Sequence, residues 1–488
     1  MTRTPPAPDA PQPLPAAQSR PAAQPLRVAI IGAGPAGIYA GNILSKAVRD
    51  AGAEVGIDLF DSLPAPYGLI RYGVAPDHPR IKGIVNSLHE MLDTGNIRFI
   101  GNVAYGVDLG LDELRAHYHA VIFATGAIRD ADLDIPGIGL PGSFGAADFV
   151  SWFDGHPDAP RVWPLDATDI AVIGNGNVAL DVARMLAKHP DDLLPTDIPA
   201  TVYDGLAGSP VTDVHVFGRR GPAQVKFTPI ELRELGDVPG VDVIVYAEDF
   251  DDAELARQLL GANNQVKVMT RTLTGWLAKE PTGASRRLHL HFHHSPALVY
   301  GDGRVEGMRF ERTEATGVAA GGGASGVRGT GEIRDYPLQA VYRAVGYRGS
   351  ALPEVPFDEA RGVIPNDGGR VLDAAGAPIR GLYATGWIKR GPVGLIGHTK
   401  GDALETITRL VDDAALLPDP SVADPDAVLA LLAERGVRFT TWPGWLALDA
   451  HERGLGAADV SPVARERVKV VARGEQVDIA RAGALVDS

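Results

Sequence analysis

The chain has 488 residues, 45% of them hydrophobic, and a formal net charge of −15. That length divides into two domains, three at most, and that composition builds packed cores and excludes a disordered chain. The negative balance argues against nonspecific nucleic-acid binding. The absence of cysteine excludes disulfides, thiolate zinc sites, cysteine-ligated iron–sulfur clusters and a CxxC redox pair, and no apolar run approaches the ~20 residues that span a bilayer.

Residues 1–25 are rich in Pro and Ala and lack the apolar stretch of a secretory signal, so a disordered tail is expected there. Order begins near Arg27. Val28-Ala29-Ile30-Ile31 reads as a buried parallel strand running into Gly32-Ala33-Gly34-Pro35-Ala36-Gly37. A helix to about Arg49 and a second strand over about 55–60 complete a strand–loop–helix–strand unit. A helix is predicted over 79–93 from the spacing of Ile81, Ile84, Val85, Leu88, Met91 and Leu92, with Pro79 in its first turn and His78 at its N-cap. Val121-Ile122-Phe123-Ala124 is another buried strand, ending at Thr125-Gly126. The pattern restarts at Ile170-Ala171-Val172-Ile173. It leads into Gly174-Asn175-Gly176-Asn177-Val178-Ala179 and a helix striped by Val178, Val182, Met185 and Leu186. Residues 189–212 read as a loop insertion, and a strand at about 213–217 ends at Gly218-Arg219-Arg220. The stretch 265–345 reads as strands around a flexible loop at 319–326. A helix is expected over about 399–412, and the last 75 residues hold helix-like stretches without an interpretable motif.

The chemistry lies in the two glycine loops. In the first, Gly32 permits the tight turn, Gly34 lets the backbone approach a pyrophosphate, and Gly37 lets helix and strand pack closely. The helix N-terminus then offers free N–H groups to the phosphates. Asp61 follows the second strand, 24 residues after Gly37, where a carboxylate accepts both ribose hydroxyls. The second loop is GxGxxA, through Gly174, Gly176 and Ala179. Where a site for NAD would place an acid, this chain has Arg219 and Arg220, which would clamp a 2′-phosphate. Two loops imply two dinucleotides. The second reads as NADP(H). The first reads as FAD rather than NAD, because a flavin accepts hydride and then releases single electrons.

Four blocks occur in order: VAIIGAGPAGIYA from Val28, PAPYGLIRYGVAPDHP at 64–79, GNGNVALDVARML joined by VFGRRGPAQVKFTPIELREL, and GWIKRGPVGLIGHTKGDA at 386–403. On these the sequence resembles the adrenodoxin reductase family of ferredoxin–NADP reductases, bacterial members included, from about Arg27 to Arg409. The resemblance implies an α/β fold of two Rossmann-like dinucleotide-binding domains, three-layered and glutathione-reductase-like. The FAD domain would comprise 26–128 and 344–488, the second part ending in a helical extension, with the NADP domain inserted at 129–343. Ala36, Asp61, Leu69, Val103 and Trp387 would contact non-covalent FAD. Gly394, Leu395 and Ile396 would close over the flavin ring, with Gly394 also near the nicotinamide. Asn175, Gly176, Asn177, Val178, Arg219, Arg220 and Glu231 would hold NADP(H). His78 and Asp181 match positions close to flavin and nicotinamide. His78 would hydrogen-bond the reduced flavin or relay a proton, and helix capping alone would also account for it. Asp181, placed in the first turn of its helix, would equally suit the helix dipole. Trp387 has the alternative of a packing aromatic.

The implied activity passes hydride from NADPH to FAD and then single electrons to a ferredoxin-type iron–sulfur protein, without a metal of its own. A cytoplasmic enzyme, monomeric or weakly dimeric, is expected. An acidic ferredoxin would need a local basic face, for which Arg71, Arg80, Lys82, Lys226, Arg233, Lys389 and Arg390 are the candidates. Thioredoxin and glutathione reductases need a cysteine pair and are excluded. An NADPH-dependent flavin monooxygenase or quinone reductase, or a non-catalytic NADPH-sensing flavoprotein, stays open as an alternative. His398 has no assigned part.

Overall fold

The computed structural model describes residues 25–250, 259, 262–316, 326–393, 396–461 and 463–484. Within these, the tail expected over 1–25 is represented by Pro25 alone, and nearly all of the expected loop at 319–326 lies outside.

The apolar runs form the centres of two sheets. Leu26–Ile31 is buried along its whole length, as a parallel strand covered on both faces must be. It pairs in parallel with Val55–Phe60 on one side and Ala120–Phe123 on the other, so that Ile31 stands level with Phe60 and Phe123. The eight-stranded sheet runs Asn366–Asp367, Arg370–Leu372, Pro378–Ala384, Ala120–Phe123, Leu26–Ile31, Val55–Phe60, Arg98–Gly101, Thr440–Thr441. Chain from 366–384 therefore returns to the sheet that chain from 26–123 begins. The strand order reverses at Leu26–Ile31, which opens a crevice at the carboxyl ends of the central strands, where this class of sheet receives ligands.

The second sheet is parallel throughout: Ser143–Gly145, Ala340–Arg343, Asp169–Ile173, Asp213–Phe217, Arg286–His291, Val241–Val245. An antiparallel sheet of His294–Tyr300, Gly307–Ala315 and Val327–Pro337 covers one of its faces. Phe217, Phe310, Met308, Val299 and Leu338 fill the space between the two sheets. The helices Ala146–Phe153 and Asn177–Ala187 share a core with Ile170, Val172, Val214 and Val216. The result is the expected α/β architecture of two Rossmann-like units in layers.

Several expected elements differ. The region from 265, expected as strand, opens with the helix Asn264–Leu277, whose first turn is capped by Asn263 Oδ1 accepting from Val266 N–H at 3.0 Å. Thr270, Thr272 and Thr274 alternate as in a strand, but Met269 and Leu273 sit one helical turn apart and bury together. The expected loop at 189–212 contains a 3₁₀ turn at Pro190–Leu193 and a helix, Ala200–Ala207. The helix predicted over 79–93 is two helices, Pro79–Lys82 and Val85–Asp93, separated by Gly83 and Ile84. The C-terminal region adds the helices Ala427–Glu434, Trp442–Ala458 and Arg473–Ala484. Among the described residues no helix is long and apolar enough to cross a membrane.

Candidate functional site

Gly32 follows the central strand with φ +113°, and its N–H donates to Phe60 O at 2.7 Å. A Cβ on Gly32 would lie 2.5 Å from Ala124 O, and one on Gly37 would lie 2.0 Å from Gly32 O. Gly34 differs: a Cβ there meets nothing nearer than Gly68 Cα at 4.0 Å. The loop is thus tight on the protein side and open on the other. Behind it the helix Pro35–Asp50 has no side-chain cap and no acid in its first turn, so its N-terminal N–H groups face that opening.

The other candidates for the first dinucleotide gather around this loop. Asp61 ends its strand buried, accepting from Ala33 N–H at 2.6 Å and Leu63 N–H at 2.8 Å, one bond to each carboxylate oxygen. Burial raises its pKa to about 6 against the pull of those two bonds. Each oxygen retains a lone pair for a ribose hydroxyl. Asp61 O also accepts from Val103 N–H at 2.8 Å, and a cavity of about 230 Å³ is lined by Gly32, Asp61, Val103, Thr125 and Gly126. Tyr67 N–H donates to Ala33 O, and Gly68 packs on Gly34, which brings Leu69 beside the loop. Gly386 lies so close to Ala36 that a Cβ on it would sit 2.6 Å from the alanine methyl. Trp387 is half-buried next to it, its ring 6.5 Å from that of Tyr347. Gly394 and Leu395 lie outside the described residues. Ile396 begins the helix Ile396–Asp412.

The second loop repeats the design. Gly174 has φ +152° and would place a Cβ 2.2 Å from Ala344 O, whereas a Cβ on Gly176 would meet nothing within 4 Å. Asn175 Nδ2 and Arg220 Nε are buried without a hydrogen-bond partner among the described residues. Such orphaned donors fit a site whose acceptors come from a ligand. Arg219 is exposed and Arg220 half-buried, and neither forms an ion pair among the described residues. Asn177 Oδ1 accepts from Thr228 N–H at 2.9 Å and so ties the loop to the helix Pro229–Gly236, which carries Glu231. Val178 is half-buried against the core.

The two halves meet at His78. Its side chain makes no capping bond; the main-chain oxygen of His78 accepts from Ile81 and Lys82 instead. The imidazole is buried, with Nε2 2.8 Å from Asp181 and 3.1 Å from Glu231, and Nδ1 3.0 Å from Glu234. Both ring nitrogens face carboxylates, and Arg184 Nη2 also lies 2.7 Å from Nε2. Burial and the Arg184 charge oppose protonation of the ring, but Asp181 and Glu231 outweigh them and raise the pKa to about 10. Asp181 lies in the second turn of Asn177–Ala187, and that helix has no acid in its first turn. The dipole therefore does not explain Asp181; the contact with His78 does.

Sequence reasoning missed Asp77, Arg184, Lys188 and Glu234. Arg184 is fully buried, bonded to Asp77 at 2.8 and 2.9 Å and to Asp181 at 2.9 Å. Lys188 lies 3.0 Å from Asp77. The available signal was a cation inside an otherwise buried helix, since a charge is buried only with partners. The candidate docking cations divide. Arg71 is buried against Glu452 at 3.0 Å, Lys389 is buried beside Asp402 and Glu405, and Lys82 is bound to Asp154 and Asp197. These three are structural, and Arg390 is half-buried 3.9 Å from Asp402. Arg80, Lys226 and Arg233 are exposed.

The sheets, loops and junction define a two-dinucleotide oxidoreductase. Residues 26–195 match the family described as pyridine nucleotide-disulphide oxidoreductase. The chain is 39% identical over 467 residues to the NADPH-ferredoxin reductase FprA of Mycobacterium tuberculosis, covering 93% of this chain and 99% of that one. It is 38% identical to the mitochondrial NADPH:adrenodoxin oxidoreductase of Homo sapiens, over 89% of each. The solved structure of M. tuberculosis FprA in complex with NADPH superposes with a TM-score of 0.84 at 38% identity, covering 94% of this chain and all of that one. The chain belongs to the NADPH–ferredoxin reductase family that includes adrenodoxin reductase.

Proposed function

We propose that this chain takes hydride from NADPH onto non-covalently bound FAD and delivers single electrons to a ferredoxin-type iron–sulfur protein. The pairing of two glycine loops with unlike ribose readers, Asp61 beside one and Arg219 with Arg220 beside the other, carries this reading. Bound FAD supplies the change from two-electron to one-electron chemistry. The chain's own residues bind and position. The helix at Pro35 and the opening at Gly34 receive a pyrophosphate, and Asp61 receives ribose hydroxyls. Asn175 Nδ2, Gly176 and the two arginines hold NADPH, with Arg220 Nε, which has no acceptor among the described residues, open to the 2′-phosphate. His78 stays protonated between Asp181, Glu231 and Glu234 and fixes the two halves against each other. Hydride transfer needs reacting atoms held about 3–3.5 Å apart rather than a protein base.

The exposed Arg80 and Arg233 flank this junction in sequence, two residues beyond His78 and Glu231 respectively, which supports a docking face there for an acidic ferredoxin. The test is an anaerobic titration followed by mixing with acceptors. A flavin spectrum bleached far better by NADPH than by NADH, then restored by ferredoxin at a rate that falls with salt, is the expected result. Faster reoxidation by a quinone would favour the quinone reductase. Bleaching without turnover of any acceptor would favour a sensor.

A further inference from the structure

Residues 77–82 reach from the half of the chain that begins the first sheet to helix and loop residues around the second. They are tied down at both ends. At the start, Asp77 binds Arg184 and Lys188, and His78 meets Asp181, Glu231 and Glu234. At the end, Lys82 Nζ lies 3.1 Å from Asp154 Oδ1 and 3.0 Å from Asp197 Oδ2. One helical turn, Pro79–Lys82, joins the two anchorages, with Ile81 and Lys82 N–H donating to His78 O at 3.1 and 3.0 Å. A shift at Lys82 is therefore passed to His78 through a rigid turn.

The same two aspartates are shared by a second lysine from the C-terminal region. Lys469 Nζ lies 3.0 Å from Asp197 Oδ2 and 3.5 Å from Asp154 Oδ1, and donates at 2.9 Å to the main-chain oxygens of both Arg71 and Asp154. The Lys469 and Asp154 side chains are fully buried. Beside them Arg71 is held by Glu452. Two lysines and two aspartates, from four separate positions along the chain, thus close on one another. Such a buried quartet is a weak source of stability, because desolvation cancels most of the attraction. Its effect is geometric: each charge finds its partners in one arrangement only, and any slip of the strap leaves a buried charge uncompensated.

We infer that Lys469, with Lys82, Asp154 and Asp197, is a positioning residue for hydride transfer: the quartet fixes the 77–82 strap, and through it His78 and the gap between the two dinucleotide loops. This rests on the NADPH–flavin function proposed above. A misplacement of about 1 Å costs up to about a hundredfold in rate.

Burial pushes the Lys469 pKa down to about 8; Asp197 opposes that shift and Lys82 adds to it. Burial also disfavours the charge on Lys82, but Asp154 and Asp197 outweigh it and hold its pKa above the ordinary value. Lys469 is thus the lysine of the quartet that loses its proton first. The charged groups facing it are Asp154, Asp197, Lys82 and Arg71, the last paired with Glu452. Above about pH 8 the neutral amine leaves both aspartates facing Lys82 alone, and the strap loosens.

FAD-loaded wild type, Lys469→Met, Lys469→Arg and the partly exposed Asp197→Asn are mixed anaerobically with NADPH while flavin bleaching is followed. NADPH affinity and amide exchange over 77–82 are measured in parallel. In Lys469→Met and Asp197→Asn, bleaching slows by about tenfold or more at unchanged affinity and flavin content. Exchange at Ile81 and Lys82 speeds up. Lys469→Arg restores the rate to within about threefold and removes the wild-type fall above pH 8. A wild type that NADPH fails to bleach overturns the functional reading and the catalytic part of the inference with it. A wild type that bleaches normally overturns the inference alone under any of three results: Lys469→Met within about twofold of its rate, unchanged strap exchange, or a loss explained wholly by weaker NADPH or FAD binding.

Discussion

Alanine at Gly34 separates the fold of the first loop from its ligand. Gly34 has φ −75° and ψ −179°, a conformation open to any residue, and a Cβ there has no neighbour closer than Gly68 Cα at 4.0 Å. The ligand-free protein should tolerate the methyl. Its stability should stay level or rise by up to about 1 kcal/mol, because alanine restricts the unfolded chain. The methyl projects into the space a pyrophosphate needs in order to reach the helix N-terminus, so FAD affinity should fall by about tenfold or more, or about 1.4 kcal/mol. Gly37→Ala should do the reverse. Its Cβ would stand 2.0 Å from Gly32 O and 3.2 Å from the Ile30 side chain, and no rotamer relieves a clash with main chain. A loss of about 1–3 kcal/mol or more is expected even without FAD. Urea unfolding of the flavin-stripped protein gives the first quantity, and quenching of flavin fluorescence gives the second. Wild-type FAD affinity in Gly34→Ala, or apo-protein destabilised as severely as Gly37→Ala, would refute the assignment of that space to a phosphate. Gly176 and Gly174 offer the same contrast for NADPH.

Arg219→Ala and Arg220→Ala should each weaken NADPH by about tenfold or more, as the loss of a charge-assisted bond worth about 1.5–3 kcal/mol requires. NADH should be unaffected; an equal loss for both coenzymes would remove the 2′-phosphate from the account. His78 has a folded pKa of about 10 against an ordinary 6.5, so its stabilisation is complete below 6.5 and is lost as pH rises through 10. The stability deficit of His78→Gln should therefore be largest at about pH 6.5 and shrink steadily toward pH 10, and a deficit constant across that range would show the ring to be neutral. Arg71→Ala takes the bidentate partner from buried Glu452, leaving it Arg467 at 3.6 Å and the Val470 N–H, and should cost up to about 3–5 kcal/mol in thermal or urea unfolding. In ferredoxin turnover at rising salt, Arg80→Glu and Arg233→Glu should lose the salt-sensitive component and Arg71→Ala should keep it.

The fold was legible wherever one residue pattern admits one structure. Val28-Ala29-Ile30-Ile31 before Gly32 can only be a buried strand feeding a turn, because the run is apolar without alternation and the glycine takes φ +113°. The same held at Ile170–Ile173 before Gly174. Legibility failed where local preference and tertiary packing disagreed. The threonines of Asn264–Leu277 favour a strand, yet burying Met269 and Leu273 on one face makes a helix. At 79–93 the apolar spacing was helical, and the chain keeps helical backbone angles through Gly83 and Ile84, but Ile84 N–H bonds to Ile81 O, one residue nearer than in an α-helix, and the helix divides there.

The site divides along the same line. A glycine loop is readable because its chemistry is local: turn, open backbone and helix N-terminus fall within six residues of one another, from Gly32 to Gly37. The junction is not local. His78 and Asp181 are 103 positions apart, Lys82 and Asp197 115, and Arg71 and Glu452 381. Each of these residues has an innocent explanation when read alone, as a cap, a dipole partner or a surface cation. What distinguishes them is burial, and burial of a charge is decided by which distant segments pack over it. Arg71, Lys82 and Lys389 give up the expected docking role for this reason: each is a basic residue that the fold pairs internally with distant carboxylates. The cations left in solvent, Arg80, Lys226 and Arg233, are the ones whose charge a partner protein can still use.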